Sequence, residues 1–425
     1  MEPSKDPPKG KPMNLVFSHH KPYDALFPLL FVVFFLSACA RMEPYQLPIK
    51  TTEMVKLSPR QYPMFADDMT YDGLENAILK SLTYLRKKPT DKSFRFGEDH
   101  YSAAHLITSL EFFLDYIQKA PSQNELSQFI LSNFLVYRSV GSDGNGRVLF
   151  TGYYEPFLQG RLEKDAIYKY PVYTKPRDLV TIDLSLFSPD LKGKTIIGRV
   201  ADQQILPYYD RDQIDFDNVL ANKADVLAWV EDPIDLFFLH IQGSGKIFTG
   251  TAKPMNVHYH TSNGRSYRSI GKLLLEEGKI KKEQMSMQSI RDYLRSYPEE
   301  LKRVFSYNPS YVFFKFEEEG PLGFLDVKLT PGRSLALDRH IFPLGALTFI
   351  ETSAPLTDGE GQIREWTHLY RFVLNQDTGG AIRGPGRADL FWGNGPYAEI
   401  AAGHLQHTGS VYFLVLKPEK GSSPN

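Results

Sequence analysis

Three segments in the first third of the chain carry apolar residues at helical spacing. The third opens with Ser122 and has Glu125 three residues later, which is the form of a capping box at a helix start. The apolar positions are Leu74, Ile78, Leu82 and Leu85, then Leu106, Leu110, Phe113, Leu114 and Ile117, then Leu126, Phe129, Ile130 and Phe134. The pattern predicts three helices that act as a scaffold.

Beyond residue 153 the pattern changes to short strand-like runs separated by Pro and Gly. YPVYT, KTIIGRV and DLFFLHIQ precede Phe316, together with one helical stretch from Met287 to Phe305 that Pro298 breaks. The rest of the chain contains YVFFKF, SLALD, ALTFIE, LYRFVLNQD and SVYFLVLKP. Short strands with Gly-rich turns and little helix between them favour a barrel over a doubly wound sheet.

Two connecting segments carry weaker signals. SDGNGR, residues 142–147, lies between two strand-like runs and therefore predicts a hairpin turn. It does not predict a calcium-binding loop, because the acidic spacing of an EF-hand is absent. Residues 39–65 show no clear period and predict a linker.

The first forty residues have the pattern of a targeting signal. Residues 25–38, ALFPLLFVVFFLSA, form an apolar run shorter than the roughly 20 residues of a spanning helix, so residues 1–38 are predicted to be a secretory signal peptide. Leu36-Ser37-Ala38-Cys39 resembles the bacterial lipobox, which makes Cys39 a lipid attachment point. Ala40 favours the outer membrane, with the protein on its periplasmic side. The alternatives are a buried free cysteine at Cys39 and a true start at Met13.

Composition and charge narrow the classes of function. The chain has 49 Lys plus Arg against 50 Asp plus Glu, so it lacks the basic excess that binding nucleic acid phosphates requires. With 42% hydrophobic residues it can bury a core, which excludes a disordered chain. Cys39 is the single cysteine, so an intrachain disulfide and a thiolate metal cluster are both excluded. No cofactor is expected.

A glycine-rich segment, DTGGAIRGPGRADLFWGNGP from Asp377 to Pro396, matches three familiar motifs incompletely. Asp377-Thr378-Gly379 resembles the D-T-G of aspartic peptidases, in which two carboxylates share a proton, but the chain has one such triplet. Gly393 to Ala398 matches G-x-G-x-x-A, but too little chain follows for a βαβ unit. Upstream, Gly243-Ser244-Gly245-Lys246 lacks the first glycine and the final hydroxyl residue of a P-loop.

The histidines do not predict a metal site. The pairs His404/His407 and His258/His260 lack an H-E-x-x-H motif or a carboxylate companion. His240 lies in an apolar strand-like run and is predicted to be an ordinary core residue. The chain also has no G-x-S-x-G motif, which weakens a serine hydrolase.

The same glycine-rich segment resembles the three-aspartate (3D) domain at the C-terminus of the membrane-bound lytic murein transglycosylase A family. Asp338 begins D-x-x-x-x-P-x-G, Asp377 begins D-x-G-G-A-I-K/R-G, and Asp389 lies in the short apolar strand ADLFWG. The likeness extends upstream to FTGYYEP, HIQGSG and YRSIGK, and covers about residues 145–417. One departure is the spacing of twelve between Asp377 and Asp389, where many members have eleven.

The resemblance implies a mainly β (α+β) fold. A double-psi β-barrel domain would hold a second β-barrel-like domain as an insert, in addition to the N-terminal helices. Residues 66–155 would form the helices and the first part of the barrel, residues 156–316 the insert, and residues 317–425 the C-terminal part of the barrel. The glycan would bind in the groove between the two domains.

The resemblance also implies the chemistry. Members cleave the β-1,4 bond between N-acetylmuramic acid and N-acetylglucosamine in peptidoglycan without water, leaving a 1,6-anhydromuramoyl end, in murein turnover and recycling. Since the substrate's own C6 hydroxyl attacks, one carboxyl group can serve as acid and then as base. Carried over by motif, Asp389 is that group, with Asp377 and Asp338 as catalytic neighbours. The implied substrate-binding residues are Tyr153, Tyr154, Gln242, Gly243, Ser244, Gly379 and Gly380.

Other interpretations stay open. Asp377 and Asp338 are also suited to capping Gly-rich turns, and Tyr153 and Tyr154 to ordinary sheet packing. An aspartic peptidase using Asp377 and a non-catalytic wall-binding lipoprotein are the competing functions. The expected partners are peptidoglycan glycan strands and, through the anchor, the outer membrane, and other cell-wall enzymes are candidates.

Overall fold

The computed structural model describes residues 52–418. The predicted signal peptide, Cys39 and the first part of the predicted linker lie outside this range. Within it, the α-helices are α1 Leu74–Arg86, α2 Ala103–Ile117, α3 Gln123–Asn133, α4 Arg211–Phe216, α5 Pro233–Gln242, α6 Ile270–Glu276, α7 Met287–Ser296, α8 Leu301–Tyr307 and α9 Pro396–His404. In this part of the chain, no helix is both long and apolar enough to cross a membrane.

The first three helices confirm the prediction made from apolar spacing. Ser122 caps α3 as the capping box predicts, since its side chain accepts the Glu125 backbone N–H and Glu125 Oε2 accepts the Ser122 N–H at 2.8 Å. Helices α7 and α8 account for the predicted helical stretch, and Pro298 begins the short 3-10 turn between them. The sequence therefore located the helical scaffold correctly.

The described residues form nineteen strands. They are β1 Met54–Lys56, β2 Ser93–Phe96, β3 Asp99–Ser102, β4 Phe134–Ser139, β5 Val148–Glu155, β6 Phe157–Arg161, β7 Tyr170–Tyr173, β8 Val180–Asp183, β9 Thr195–Ala201, β10 Gln204–Pro207, β11 Val226–Val230, β12 Ser244–Phe248, β13 Met255–Ser262, β14 Val312–Glu317, β15 Ser334–Ala336, β16 Leu347–Thr357, β17 Ile363–Asp377, β18 Arg387–Asn394 and β19 His407–Leu416.

Six of these strands close into a barrel. The strands pair in the order β19, β16, β17, β15, β18 and β5, and pairing of β5 with β19 closes the ring. Closure leaves no unpaired edge within the ring. Strands β4 and β1 extend the sheet from β19. Phe150, Phe349, Phe372 and Phe413 are fully buried in the main core, which the barrel shares with α1, α2 and α3.

A second six-stranded sheet lies between the barrel strands in the sequence. Its order is β14, β13, β12, β6, β11 and β7. Thr174, directly after β7, forms a bridge with Phe314 on β14, so the two outer strands meet. Leu158, Val172 and Val257 belong to a separate core beneath this sheet. Strands β8, β9 and β10 form a small sheet of their own.

The run DLFFLHIQ is helix α5, so the predicted strand was wrong. Asp232 caps the helix by accepting the Ile234 N–H at 2.7 Å, and Pro233 occupies the first turn. Gly243 ends the helix with a φ of 78°. Because Leu236 to His240 are all buried, the middle of α5 is a run of consecutive apolar residues that shows no clear helical period. His240 is a buried core residue, as predicted, but on this helix.

Two connecting segments also differ from prediction. SDGNGR is not a hairpin turn, because β4 and β5, which it joins, each pair with β19 instead of with each other. Residues 52–65 are not a linker, since β1 pairs with β4 and Phe65 is buried in the main core. A three-residue strand is too short to leave a period in the sequence, and strand order depends on tertiary pairing.

Candidate active site

The candidate site lies on one face of the barrel, where four strands present neighbouring residues. Thr151 on β5 pairs with Asp389 on β18, Asp389 pairs with Ala336 on β15, and Ala336 pairs with Asp377 on β17. Directly paired residues project to the same side of a sheet. Since adjacent strands are about 4.8 Å apart, the Cα atoms of Asp389 and Asp377 lie about 10 Å apart, with the small side chain of Ala336 between them.

Asp389 is held by the protein at one of its two oxygens. Thr151 Oγ1 donates to Asp389 Oδ1 at 2.7 Å, and Arg387 Nη2 donates to the same threonine oxygen at 3.3 Å. Burial raises the pKa of Asp389 to about 6, while the Thr151 hydrogen bond and the Arg387 charge lower it and the charge of Asp377 raises it. Asp389 can therefore both release and accept a proton near neutral pH.

Asp377 is held at both oxygens by three donors. Oδ1 accepts the backbone N–H groups of Phe324 at 2.9 Å and Thr378 at 2.8 Å, and Oδ2 accepts the Tyr153 hydroxyl at 2.8 Å. Burial raises the pKa of Asp377 to about 6, although these hydrogen bonds lower it. Because three of its roughly four acceptor positions are filled, the carboxyl group of Asp377 is held in one orientation.

Tyr153 contacts Asp377 and Phe391. Its hydroxyl is committed to Asp377, and its ring centroid lies 5.2 Å from that of Phe391, its partner on β18. Burial, together with the charges of Asp377 and Asp389, raises the pKa of Tyr153 well above its ordinary value. The sequence predicted Tyr153 as a groove residue that binds substrate, and the structure places its polar end on Asp377.

Asp338 has a different set of contacts. Its Oδ1 accepts the His340 backbone N–H at 3.1 Å, and its Oδ2 accepts the Gly384 N–H at 2.8 Å. Arg383 Nη1 lies 3.8 Å from Oδ1. Asp338 is 6% exposed and ties its own turn to the glycine-rich loop. These contacts favour the interpretation of Asp338 as a residue that caps turns.

Tyr154 and Gln242 contact each other away from the row of aspartates. Tyr154 follows Tyr153 on β5 and therefore points to the opposite face, where it is 3% exposed and accepts a hydrogen bond from Arg291 Nη2 at 3.4 Å. Gln242 Oε1 accepts the Tyr154 backbone N–H at 3.1 Å. Only one of two adjacent tyrosines on a strand can face the carboxylates, so Tyr154 faces away from Asp377 and Asp389.

Four of the predicted binding residues lie at two places: two lie at the junction of α5 with β12, and two lie in the loop after β17. Gly243 ends α5, and Ser244 begins β12 and is buried. Gly379 and Gly380 follow Asp377. A side chain added at Gly380 would meet no atom within 4 Å, whereas one at Gly379 would lie 3.0 Å from Ile382. The loop at Gly380 is therefore uncovered beside Asp377.

Sequence reasoning did not single out Thr151, Arg387 or Glu155. Glu155 is 1% exposed, its Oε2 lies 3.0 Å from Lys246 Nζ on β12, and the same oxygen accepts from Asn394 Nδ2 at 3.1 Å. This ion pair joins the barrel to the second sheet. Thr151, Tyr153 and Glu155 alternate along β5 and so share one face. The alternating polar positions in FTGYYEP were a signal that could have identified Thr151 and Glu155.

The geometry does not favour the peptidase interpretation. The carboxyl groups of an aspartic peptidase share a proton across ~3 Å. No hydrogen bond joins Asp377 to Asp389, and strand β15 lies between them. Within residues 52–418, no group of three or more His, Cys, Asp or Glu side chains is arranged to hold a metal ion.

Comparison with known proteins matches both halves of this architecture. The family model described as the MltA specific insert domain matches residues 149–315, and that of the 3D domain matches residues 333–415. The crystal structure of a membrane-bound lytic murein transglycosylase from Agrobacterium tumefaciens is 30% identical with a TM-score of 0.70, covering 86% of this chain and 98% of that one. The structure of Escherichia coli MltA with bound chitohexaose is 26% identical with a TM-score of 0.63, covering 87% and 95%.

Relatives found by sequence agree with these structures. Membrane-bound lytic murein transglycosylase A of Escherichia coli strain K12 is 35% identical over 285 residues, which is 66% of this chain and 69% of the relative. The protein of the same name from Vibrio cholerae serotype O1 is 32% identical over 289 residues, or 67% and 70%. The chain belongs to the membrane-bound lytic murein transglycosylase A family.

Proposed function

We propose that the protein is a peptidoglycan lytic transglycosylase that cleaves the β-1,4 bond between N-acetylmuramic acid and N-acetylglucosamine and forms 1,6-anhydromuramoyl ends. Its relatives are named membrane-bound lytic murein transglycosylase A, and one related structure holds bound chitohexaose. The observation in this chain that carries the proposal is the row of two aspartates. Within residues 52–418, one oxygen of Asp389 accepts no hydrogen bond, whereas Asp377 accepts hydrogen bonds at both oxygens.

Asp389 is our candidate for a single acid and base. Protonated Asp389 would give its proton to the glycosidic oxygen as the bond from that oxygen to C1 breaks. The C6 hydroxyl of the muramic acid would then attack C1 and return its proton to the same carboxylate. The two steps restore Asp389 and consume no water. A pKa of about 6 suits a group that must give and regain a proton near neutral pH.

Asp377 would act as the electrostatic partner of this reaction. Cleavage of a glycosidic bond develops positive charge at C1, and an oriented carboxylate stabilises that charge. The three donors on Asp377 keep it in one orientation. Asp338 would contribute by fixing the glycine-rich loop that follows Asp377.

We infer that the glycan lies along the face of the barrel that carries Tyr153, in a groove beside the second sheet. The uncovered loop at Gly380 and the Glu155–Lys246 ion pair across the two sheets support this path. We also infer that the barrel, residues 66–155 and 317–425, is a double-psi barrel with residues 156–316 as the inserted domain. The parallel pairs β15–β17 and β18–β5 within the ring support this assignment.

We infer further that the Cys39 sulfur receives a lipid before residues 1–38 are removed, which would tether the mature protein to the periplasmic side of the outer membrane. The lipobox-like sequence and the membrane-bound names of the relatives support this. The mass of the N-terminal peptide of the mature protein tests the modification. The Cys39→Ala variant should be lost from the outer-membrane fraction. An unmodified Cys39 in the N-terminal peptide of the mature protein would contradict the proposal.

The activity is tested by digesting purified murein and weighing the products. Anhydro ends, lighter than reducing ends by one water, support the proposal, whereas reducing ends alone would make the protein a hydrolase. Peptide cleavage blocked by pepstatin would favour the aspartic peptidase. Binding without turnover, with wild type and Asp389→Asn indistinguishable, would favour a non-catalytic wall-binding protein.

A further inference from the structure

The hydroxyl of Thr151 and the guanidinium of Arg387 form a directed chain of hydrogen bonds that ends on Asp389. We propose that these two are positioning residues, which hold one oxygen of Asp389 and leave the other as the atom that exchanges the proton with substrate. This inference rests on the proposed function, in which Asp389 is the acid and base. It identifies the oxygen of Asp389 that exchanges the proton with substrate, and the residues that leave that oxygen free to do so.

The contact between Thr151 and Asp389 is set by the backbone. The two residues are direct partners in the parallel pairing of β5 with β18, and their side chains lie on the same face. Threonine is β-branched, so its χ1 angle has few choices on a strand. Arg387 lies two residues before Asp389 on β18 and projects to that face as well. The hydroxyl is therefore held beside the carboxyl group.

The direction of the hydrogen bonds follows from the available protons. A guanidinium can only donate, so Arg387 Nη2, 3.3 Å from Thr151 Oγ1, fills an acceptor position on that oxygen. The one hydroxyl proton of Thr151 is then available for Asp389 Oδ1 at 2.7 Å. Because Oδ1 accepts this proton, the acidic proton of a neutral Asp389 resides on Oδ2. Among residues 52–418, Oδ2 has no hydrogen-bond partner.

The same chain sets the proton affinity of the carboxyl group. Burial raises the pKa of Asp389, and the Thr151 hydrogen bond and the Arg387 charge bring it down to about 6. The other ionisable groups near it are Asp377 on β17 and Tyr153 on β5. Without the hydroxyl, Asp389 would be a weaker acid and its two oxygens would become equivalent. Thr151 thus acts on both the geometry and the acidity of Asp389.

The test is the substitution Thr151→Val, which keeps the shape of the side chain and removes the hydroxyl. We expect kcat on purified murein to fall about ten- to one-hundredfold, a part of what an oriented acid contributes, with KM within about twofold. The basic limb of the pH–rate profile should move to higher pH. Thr151→Ser, which keeps the hydroxyl, should recover most of kcat. Arg387→Met should lower kcat less than Thr151→Val does.

A matched control is available on another barrel strand. Thr352 on β16 is 6% exposed, and its hydroxyl has no partner in the described part of the chain, so Thr352→Val should leave kcat and the pH profile unchanged. Unchanged kcat in Thr151→Val, or equal losses in Thr151→Val and Thr151→Ser, would overturn the proposal. Products of the wild type are weighed in the same assay. Reducing ends there would refute the transglycosylase while the effect of Thr151 on rate stays measurable.

Discussion

Replacing Asp389 by Asn should abolish turnover and at the same time stabilise the protein at neutral pH. The carboxyl group is partly buried in the same row as Asp377, and an ionised group in that position is poorly solvated. Asparagine stays neutral and keeps an oxygen that can accept from Thr151. Loss of the acid and base should reduce kcat by about 10²- to 10⁴-fold or more. The variant should therefore have a lower kcat and a larger free energy of unfolding than the wild type.

The size of the stability gain follows from the pKa. In the folded protein the pKa of Asp389 rises from 3.8 to about 6, so the folded state binds the proton more tightly than the unfolded state does. The wild type consequently loses stability as the pH rises from about 4 to about 6, and keeps that deficit above it. Two units of pKa correspond to about 3 kcal/mol. Partial exposure of Asp389 reduces the expected gain to about 2 kcal/mol.

The measurement is urea unfolding of both proteins at two pH values. Near pH 7.5 the variant should be more stable by about 2 kcal/mol, which for a folded unit of this size raises Tm by about 2–3 °C. Near pH 3 the difference should disappear, because Asp389 of the wild type is then protonated in both the folded and the unfolded state. Asp91→Asn, at an exposed turn, is the control and should change neither value. If the variant is no more stable than the wild type near pH 7.5, or if the difference in free energy of unfolding is the same at both pH values, the raised pKa of Asp389 does not destabilise the protein and the prediction is wrong.

Two further variants probe the electrostatics and the packing of the site. Asp377→Asn should lower kcat and move the basic limb of the pH–rate profile to lower pH, because the charge of Asp377 helps to raise the pKa of Asp389; a limb that stays in place contradicts this coupling. Gly152→Ala should destabilise the fold by about 1–3 kcal/mol in urea unfolding, because the added carbon would lie 2.6 Å from Trp392 Nε1. Gly380→Ala, in open space, is the matched control.

Local sequence signals located most elements but not all of them. Helix α5 was missed because the consecutive buried residues Leu236 to His240 hide the helical period, although Asp232, Pro233 and Gly243 supplied start and stop signals at its ends. Those end signals are a better guide than periodicity for a buried helix. Strand β1 left no signal, because three residues cannot show a period and its place depends on pairing with β4.

The order of motifs identified Asp377 and Asp389 as candidates, but not their spatial relation. Ala336, far upstream in the sequence, pairs with both, and the parallel register of β5 with β18 adds Thr151 to the same row. Tyr153 and Tyr154 looked alike in the sequence. Their separation follows from strand geometry, since neighbouring residues on β5 point to opposite faces.

Residue types and their order along the chain were sufficient to indicate the helical scaffold, the strand-rich character and the candidate aspartates, because each depends on short-range pattern or on a motif. Tertiary pairing was needed for the closed barrel, the row of aspartates and the oxygen of Asp389 that stays free. Register between strands distant in the chain sets which side chains meet, and desolvation by the whole fold sets their proton affinities.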